Sequence, residues 1–391
     1  MKQLKDLKIA LVHDFLLYPG GAEKVLKVLS EIFPEAPIYT LLYNPEKMEG
    51  LFKGKEIKTS YLQRLPKFFR HHHQWLLPLL PSAPETLDLR EYDLVISSSG
   101  AWMKGIVTKL NTVHIAYLHS PMRFVWDYRD KYLAEDRKMG QGIIARLFLS
   151  YLRLWDFEAA QRPDYLIANS QYTQERIRKY YRRESVVIYP PAANCHSERS
   201  VSEAEESNSD NIRSLDFAKD DTPSQRYFLI VSRLSPYKKV GLVVEAFNKL
   251  GLPLVVIGEG RQKKGLKKIA NKNVRILGWQ SEAKLASYYS GARAFIFPAE
   301  DDFGITAVEA MSYGLPLIAL EKGGVREIAG EKEAVEFFSS QTVEVLADGV
   351  RNFIRREKEF DREKIMKQAQ KFSAEQFKTE LLKFVEAKIK L

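Results

Sequence analysis

The stretch FPAEDDFGITAVEAMSYGLP, residues 297–316, decides the fold. A buried apolar run ends at Pro298, an acidic loop with a glycine follows, and a helical pattern begins near Thr306. Gly314 and Pro316 end that helix, and the apolar run 317–320 comes next. A strand, a loop, a helix and another buried strand in this order predict a unit of an α/β fold with a parallel sheet.

Short apolar runs of this kind recur along the whole chain. They do not alternate apolar and polar residues, which is typical of strands buried on both faces of a parallel sheet. They lie at residues 8–13, 93–98, 113–118, 165–169 and 186–189 in the first half, and at 227–231, 254–257, 274–277, 294–297 and 317–320 in the second. Because helix-like segments separate the runs in both halves, the sequence predicts two doubly wound α/β domains.

The break between the two domains is predicted just after Pro190. Residues 195–225 are rich in Ser, Glu, Asp and Asn, and such a segment cannot bury enough apolar surface to order itself. We therefore expect an N-terminal domain at residues 1–190, a flexible insertion or linker at 191–225, a second domain at 226–361, and a charged amphipathic helical segment at 362–391. An ordered regulatory loop is the alternative for the insertion.

Composition and charge narrow the classes of partner and compartment. The net charge of +10 favours anionic partners such as nucleotides or a phospholipid surface. The basic residues recur along the chain instead of forming one tail, so we do not expect nucleic acid to be a partner. A single cysteine, Cys195, excludes an intrachain disulfide and fits the cytoplasm. We recognise no signal peptide and no run of about 18 apolar residues, so we expect a cytoplasmic protein that contacts a membrane, if at all, from its surface.

Two acidic residues, Asp301 and Glu309, flank the start of the helix in the opening stretch. They can grip a polyhydroxylated ligand from two sides, while the loop amides and the helix N-terminus serve a hydroxyl or a phosphate. Parallel sheets bind ligands at the carboxyl ends of their strands, where this loop lies. The alternative is a capping box, in which Glu309 and Thr306 only satisfy the start of the helix.

Basic residues follow the apolar run 227–231. Arg233 can fork onto phosphate oxygens and Lys238 adds a point charge, so together they suit a diphosphate. The alternative is an exposed basic loop. Gly258 follows the next run, 254–257; its motif lacks the third glycine of the dinucleotide fingerprint, but a glycine there lets the backbone approach a base or ribose closely.

The first half offers two weaker candidate groups. Gly20 and Gly21 come after a strand and open a helix, where glycines allow close approach to a phosphate; a simple tight turn is the alternative. His119 follows the run 113–118 and is either a catalytic group facing a cleft or a structural histidine.

No metal site is predicted. The side chains of three adjacent histidines at 71–73 point in different directions and lack further ligands at zinc spacing. No Asp-x-Asp motif occurs, so we expect Arg233 and Lys238 to neutralise the diphosphate in place of a divalent cation. Around the histidines, residues 64–80 mix basic, aromatic and aliphatic side chains, which fits either a membrane-surface edge or an ordinary helix packed on the core.

In this order the motifs resemble the retaining GT-B glycosyltransferases of family 4, which assemble bacterial surface polysaccharides, and within them the branch of O-antigen mannosyltransferases. The resemblance covers nearly the whole chain except residues 195–225. It rests on His13-Asp14 with Gly20-Gly21-Ala22-Glu23, Ile96-Ser97-Ser98-Ser99, His119-Ser120-Pro121-Met122-Arg123, Ala168-Asn169-Ser170, Tyr189-Pro190-Pro191, Arg233-Leu234 with Lys238, and the acidic loop ending at Glu309. It implies two Rossmann-like domains facing across a cleft, with the last helix crossing back onto the first domain.

The resemblance also implies a role for each matched residue. Asp301 stands where the family has Glu, which keeps the charge but shortens the side chain by one methylene. The resemblance implies that Arg233 and Lys238 bind the donor diphosphate, with Lys239 as the alternative to Lys238, and that Glu309 binds the ribose hydroxyls. It implies that Asp301 contacts the donor sugar, together with the amides of Phe303 and Gly304 after it. It also implies that Gly20 and Gly21 contact the donor phosphate and that His119 lies beside the reacting centre. Family members need no metal, and no cofactor is implied.

The implied reaction moves a hexose from a nucleotide sugar, with GDP-mannose as the inferred donor, to a hydroxyl of a glycan or lipid-linked acceptor. Contact with the inner face of the cell membrane would fit such an acceptor. Two other functions stay open: a GT-B sugar-nucleotide isomerase, and a non-catalytic scaffold subunit that binds a sugar nucleotide.

Overall fold

The computed structural model describes residues 4–48, 50–71, 73–129, 143–192, 226–330 and 334–389. The chain forms two compact units, Met1–Pro191 with Ala374–Leu391, and Ala192–Ser373. The predicted insertion at 195–225, with Cys195, lies outside the described residues, and so do the side chains of the three histidines at 71–73.

The first unit contains a seven-stranded sheet in which every neighbouring pair is parallel. Its strand order is β3-β2-β1-β4-β5-β6-β7. The strands are β1 (Ile9–Leu16), β2 (Ile38–Tyr43), β3 (Ile57–Thr59), β4 (Leu94–Ser99), β5 (Val113–Leu118), β6 (Tyr165–Ala168) and β7 (Val186–Val187). The helices among them are α1 (Gly21–Ile32), α2 (Lys67–His71), α3 (Ile143–Ala159) and α4 (Gln171–Tyr181).

The core of the first unit lies on both faces of this sheet, as the unbroken apolar runs require. Successive residues of a strand point to opposite faces. In β1, Ala10 and Val12 therefore join one buried cluster, which includes Leu149 and Leu152 of α3. Leu11 joins the other, which includes α1.

The second unit repeats this architecture with six parallel strands in the order β10-β9-β8-β11-β12-β13. The strands are β8 (Phe228–Val231), β9 (Leu254–Ile257), β10 (Val274–Gly278), β11 (Ala294–Phe297), β12 (Leu317–Leu320) and β13 (Val335–Phe338). The helices are α5 (Val240–Leu250), α6 (Lys263–Ile269), α7 (Glu282–Gly291), α8 (Ile305–Ser312), α9 (Val325–Ala329), α10 (Val343–Arg356) and α11 (Arg362–Gln370). The prediction of two doubly wound α/β domains is confirmed.

The C-terminal helical segment is divided between the two units. In α11, Arg362 donates a hydrogen bond to the carbonyl of Tyr313 in the second unit. The last helix, α12 (Ala374–Ile389), is part of the first unit. There the ring of Phe377 is buried edge-to-face against Tyr117, and Lys378 pairs with Glu31 of α1.

Each sheet has one position where the chain reverses its direction of strand addition. These switch points lie between β1 and β4 in the first unit and between β8 and β11 in the second. The crevice at the carboxyl ends of such a strand pair is where open α/β sheets bind ligands. Among the described residues, no helix is long and apolar enough to cross a membrane.

Candidate active site

The switch point of the first unit is organised by Asp14, which follows the buried part of β1. Its carboxylate accepts a hydrogen bond of 3.0 Å from Ser99 Oγ. It also accepts four backbone hydrogen bonds of 2.7–2.9 Å, from the amides of residues 100–103. One side chain therefore holds the whole loop that follows β4.

Replacement of Asp14 by asparagine is expected to destabilise the first unit. The amide removes the charge and turns an N–H group toward backbone donors, so we expect the free energy of unfolding to fall by about 2–4 kcal/mol. Urea unfolding followed by tryptophan fluorescence measures it, since four of the five tryptophans lie in residues 75–155. Asp88→Asn, which removes only an exposed partner of Arg90, serves as the control and should leave the midpoint unchanged. Equal midpoints for both variants would contradict the role of Asp14.

The predicted glycines of the first unit lie at the start of α1. Gly20 is the N-cap residue of this helix, and Gly21 is its first residue. A Cβ on Gly20 would lie 2.7 Å from Glu23 Oε2, so the carboxylate of Glu23 folds back over this glycine. A phosphate that approached these amides would meet that carboxylate first.

His119 lies directly after β5 and is held by two neighbours at the same edge of the sheet. Its Nε2 is 2.8 Å from Ser98 Oγ. Its carbonyl accepts a hydrogen bond of 3.0 Å from the side-chain amide of Asn169. Ser98 in turn is 3.1 Å from Nδ1 of the buried His13. His119 is therefore one member of a hydrogen-bonded chain of side chains.

In the second unit, the structure brings Lys238 and Asp301 into direct contact. The ammonium of Lys238, just after β8, donates to the carboxylate of Asp301, just after β11. Burial has the largest single effect and lowers the pKa of Lys238, and the nearby charge of Arg233 also lowers it. Asp301 and Tyr237 together outweigh both, so the pKa lies above its ordinary value. Both side chains line a small recess at the switch point, with Ser232, Pro298 and residues of β8 and β11.

The exposed Arg233 adds a second cation beside this pair. Two cations and one carboxylate at the carboxyl ends of neighbouring strands can bind a dianionic group beside a hydroxylated one. Among the described residues, no three His, Cys, Asp or Glu side chains are grouped so that they could hold a metal ion.

Gly258 lies where the backbones of two loops touch. Its φ is +143°, and a Cβ there would overlap the carbonyl oxygen of Ser232. Gly260, with a φ of +158°, lies in the same way against the carbonyl of Leu234. These glycines therefore fix the shape of the loop that carries Arg233 and Lys238, which is a structural reason for them beyond the predicted approach to a base or ribose.

Two glycines that were not predicted, Gly323 and Gly324, pack against the backbone of the acidic loop at Asp301. The amide of Gly324 donates to the carbonyl of Asp301 at 2.9 Å. A Cβ on Gly323, whose φ is +80°, would overlap that same carbonyl. The signal was present in the sequence, since Gly323-Gly324 is separated from β12 by two residues and lies directly before α9.

Phe303 and Gly304 occupy structural positions in this loop. The ring of Phe303 is 3% exposed and packs edge-to-face on Phe372, so a ligand could meet only the backbone of Phe303. Gly304 has a φ of +116° and is the N-cap residue of α8.

Glu309 does not cap the helix, so the capping-box alternative is wrong. Helix α8 begins at Ile305, and its N-cap residue, Gly304, has no side chain to bond with. The carboxylate of Glu309 instead accepts a hydrogen bond of 3.3 Å from the buried hydroxyl of Tyr289. Burial, followed by the charge of Glu309, raises the pKa of Tyr313 to about 12.

Replacement of Thr306 by alanine is therefore expected to leave stability nearly unchanged. A threonine that capped α8 would cost about 1 kcal/mol when removed. At its observed position, inside the first turn, we expect a change within about 0.5 kcal/mol. Thermal unfolding of Thr306→Ala beside Thr342→Ala checks this, because Thr342 does cap α10 through a hydrogen bond to Val345. A loss at Thr306 as large as that at Thr342 would contradict the assignment of the N-cap.

Two families of glycosyltransferases match the chain, one in each half. The family described as "Glycosyltransferase Family 4" matches residues 19–194, and the family described as "Glycosyl transferases group 1" matches residues 212–372. The structure of Anabaena HepE in complex with UDP-glucose superposes with a TM-score of 0.69 at 17% identity and covers 97% of this chain and 100% of that one. The chain therefore has the GT-B fold, with two parallel-sheet Rossmann-like domains.

Two curated relatives extend the comparison. An uncharacterised glycosyltransferase of Methanocaldococcus jannaschii is 22% identical over 334 residues, which are 82% of this chain and 81% of that protein. The GDP-mannose-dependent alpha-mannosyltransferase of Mycolicibacterium smegmatis is 33% identical over 99 residues, which are 25% of this chain and 26% of that protein. With both of its halves matched, the chain is a glycosyltransferase of the group 1 and family 4 type.

Proposed function

We propose that this glycosyltransferase moves a hexose from a nucleoside diphosphate sugar to a hydroxyl of a glycan or lipid-linked acceptor, with retention of the anomeric configuration. The proposal rests mainly on the contact between Lys238 and Asp301, which lies beside Arg233 at the switch point of the second sheet. HepE, which has the same fold, binds UDP-glucose.

The pair of Lys238 and Asp301 can bind a diphosphate and a sugar at neighbouring positions. An ammonium has three N–H donors, so Lys238 can keep Asp301 and still donate to phosphate oxygens. The carboxylate of Asp301 then lies at a fixed distance from the diphosphate, where it can accept hydrogen bonds from sugar hydroxyls. Arg233 supplies planar, bidentate donors to the same diphosphate.

In the proposed reaction an acceptor oxygen forms a new bond to the anomeric carbon while the bond from that carbon to the diphosphate oxygen breaks. The nucleoside diphosphate leaves with the bonding electrons, and its oxygen takes the proton of the acceptor hydroxyl. Lys238 is already oriented by Asp301, so it stabilises the growing negative charge without reorganisation, and Arg233 adds a second positive charge. No pair of carboxylates acts as nucleophile and acid, in contrast to glycosidases.

Other residues enter the proposal through the family resemblance. Glu309 binds the ribose hydroxyls. Gly258 is proposed on its own position after β9, where a glycine allows the backbone to approach the nucleoside. The amides of Phe303 and Gly304 contact the donor sugar together with Asp301. Gly20, Gly21 and His119 contribute from the first unit.

GDP-mannose is the donor that we propose, and bacterial surface polysaccharide is the proposed product. The mycobacterial mannosyltransferase, which depends on GDP-mannose, supports this donor, whereas HepE supports a UDP sugar as the competitor. We further propose that the reaction takes place in the cytoplasm with the enzyme at the inner face of the cell membrane.

Turnover of the donor with and without an acceptor tests the proposal against its alternatives. A transferase releases nucleoside diphosphate and does so faster when an acceptor glycan is added. An isomerase converts the sugar nucleotide without any release of nucleoside diphosphate. A scaffold subunit binds the sugar nucleotide and leaves it unchanged, and that outcome would overturn the transferase proposal.

A further inference from the structure

Helix α3 carries apolar side chains on two opposite sides. One side, with Leu149 and Leu152, is buried in the core of the first unit. The opposite side carries the exposed Glu158 and five apolar residues that are 54–81% exposed. These are Ile143, Ile144, Leu147, Tyr151 and Leu154, which we call the exposed apolar face. At about 100° per residue they fall within one arc of about 100°, where a helix in water normally carries polar residues.

The segment with α2 packs against the same buried cluster as α3. Leu76 and Leu80 pack into the buried cluster that also holds Leu149 and Leu152 of α3. The rings of Phe68 and Trp75 remain exposed and lie 6.3 Å apart, edge to face. One side of the segment therefore packs on the core, as one of the two alternatives for residues 64–80 predicted, and the aromatic rings of Phe68 and Trp75 are exposed.

The exposed charges of α3 and of the segment with α2 are mainly positive. Arg64, Lys67 and Arg146 are exposed, and residues 61–83 contain no acidic residue. On α3, Glu158 is the exposed acidic side chain. A second copy of the chain on a two-fold axis would bring these cations against themselves, which is unfavourable. Basic residues that flank exposed Trp, Phe, Leu and Ile are instead typical of surfaces that lie in the headgroup layer of an anionic membrane.

We propose that the exposed apolar face, with Phe68 and Trp75, docks the first unit onto an anionic lipid surface. The apolar side chains enter the boundary between headgroups and acyl chains, and the flanking cations contact the lipid phosphates. The proposal concerns location and holds whichever sugar is transferred.

Flotation of the protein with vesicles tests the docking surface. We expect wild type to float with phosphatidylglycerol vesicles, less with pure phosphatidylcholine, and less at high salt. Leu147→Glu and Tyr151→Glu should each reduce binding about tenfold or more. Leu110→Glu is the matched control, because Leu110 is 99% exposed in a turn of the same unit, and it should bind like wild type.

Two results would overturn this proposal. One is equal flotation of all variants, with their thermal unfolding unchanged. The other is a wild-type dimer in light scattering that Leu147→Glu converts to a monomer, because the face would then join two copies of the chain.

A second inference comes from the hydroxyl of Ser98, which lies between two imidazole rings. Ser98 Oγ is 3.1 Å from His13 Nδ1 and 2.8 Å from His119 Nε2. On its far side, Nε2 of His13 is 3.7 Å from Glu23 Oε1. Ser98 and His13 are both buried.

The single proton of this hydroxyl couples the two rings. A hydroxyl donates to one partner only, and an ionised carboxylate accepts only. Glu23 therefore favours the proton of a neutral His13 on Nε2, which leaves Nδ1 as an acceptor for the proton of Ser98. Ser98 must then accept from His119, which fixes the proton of His119 on its Nε2.

We propose that Glu23, His13 and Ser98 are positioning residues that hold His119 as the Nε2–H tautomer. That the ring held in this way acts at the reacting centre rests on the proposed function. The tautomer itself does not depend on which reaction the protein performs.

Long-range ¹H–¹⁵N NMR of protein labelled at histidine reads the tautomer directly, with His119→Asn as the assignment variant. We expect the Nε2–H form in wild type and a mixture of tautomers in Ser98→Ala. Ser97→Ala is the matched control, because it removes an equally buried hydrogen bond of 2.8 Å, to His114, and should leave His119 unchanged.

A wild-type Nδ1–H form, or an unchanged tautomer in Ser98→Ala, would overturn the positioning role even if the protein proves to be an active transferase. In kinetics, Ser98→Ala should lower kcat with little change in the donor KM, and Ser98→Thr should restore kcat. Absence of turnover with every donor would instead count against the proposed function and leave the tautomer result standing.

Discussion

Replacement of Lys238 by alanine is expected to reduce kcat/KM for the nucleotide sugar by about 10²–10³-fold, because a preoriented cation is lost where the leaving diphosphate develops charge. The loss of the ammonium also leaves the carboxylate of Asp301 without its partner. Steady-state release of nucleoside diphosphate measures the effect, and circular dichroism checks that the fold is retained.

Lys239→Ala is the matched control for this prediction. Lys239 has the same charge but is the N-cap residue of α5 with a φ of 55°, and it is the alternative diphosphate ligand in the family resemblance. We expect less than a few-fold change in kcat/KM. A larger loss in Lys239→Ala than in Lys238→Ala would move the diphosphate contact to Lys239 and contradict the assignment of Lys238.

Replacement of Gly258 by alanine is expected to lower the free energy of unfolding of the second unit by roughly 3–5 kcal/mol. The added Cβ would overlap the carbonyl oxygen of Ser232, and the φ of +143° is unfavourable for any L side chain. The loop with Arg233 and Lys238 must move to relieve the overlap, so nucleotide binding should weaken as well. Urea unfolding followed by circular dichroism measures the loss of stability.

Gly265→Ala gives the opposite expectation in the same unit. Gly265 lies inside α6, and nothing is within 4 Å of the position of its Cβ. Alanine there should stabilise the helix by about 0.5–1 kcal/mol. If Gly258→Ala is as stable as Gly265→Ala, the contact between the two loops is not present in solution.

The alternation of buried runs and helices was sufficient to predict both domains, because strands covered on two faces leave a strong pattern. Strands β2, β3 and β13 were not predicted. Strand β3 has three residues, all only partly buried, and β13 has four residues with a charged Glu336 inside it, so neither leaves a long apolar run. Their places in the sheets depend on pairing with distant strands, which short-range patterns do not encode.

The residues of the candidate site were predictable where they lie in loops at the carboxyl ends of strands, because parallel sheets bind ligands there. Lys238 and Asp301 were named from their loops, but their direct contact requires β8 and β11 to be neighbours, a fact of topology. The roles of Asp14 and Ser98 were missed because their partners lie about 85 residues away in the chain. The capping-box alternative failed because α8 begins at Ile305 with Gly304 as its N-cap residue, so Thr306 lies inside the first turn.

The central claim is that the second unit binds a nucleoside diphosphate through Arg233 and Lys238. Isothermal titration calorimetry of UDP, GDP and ADP, without divalent metal, tests it on wild type, Arg233→Ala and Lys238→Ala. We expect one of the three nucleoside diphosphates to bind to wild type, and we expect each variant to weaken this binding by about tenfold or more. Binding of none of the three, or equal binding to wild type and both variants, would contradict it.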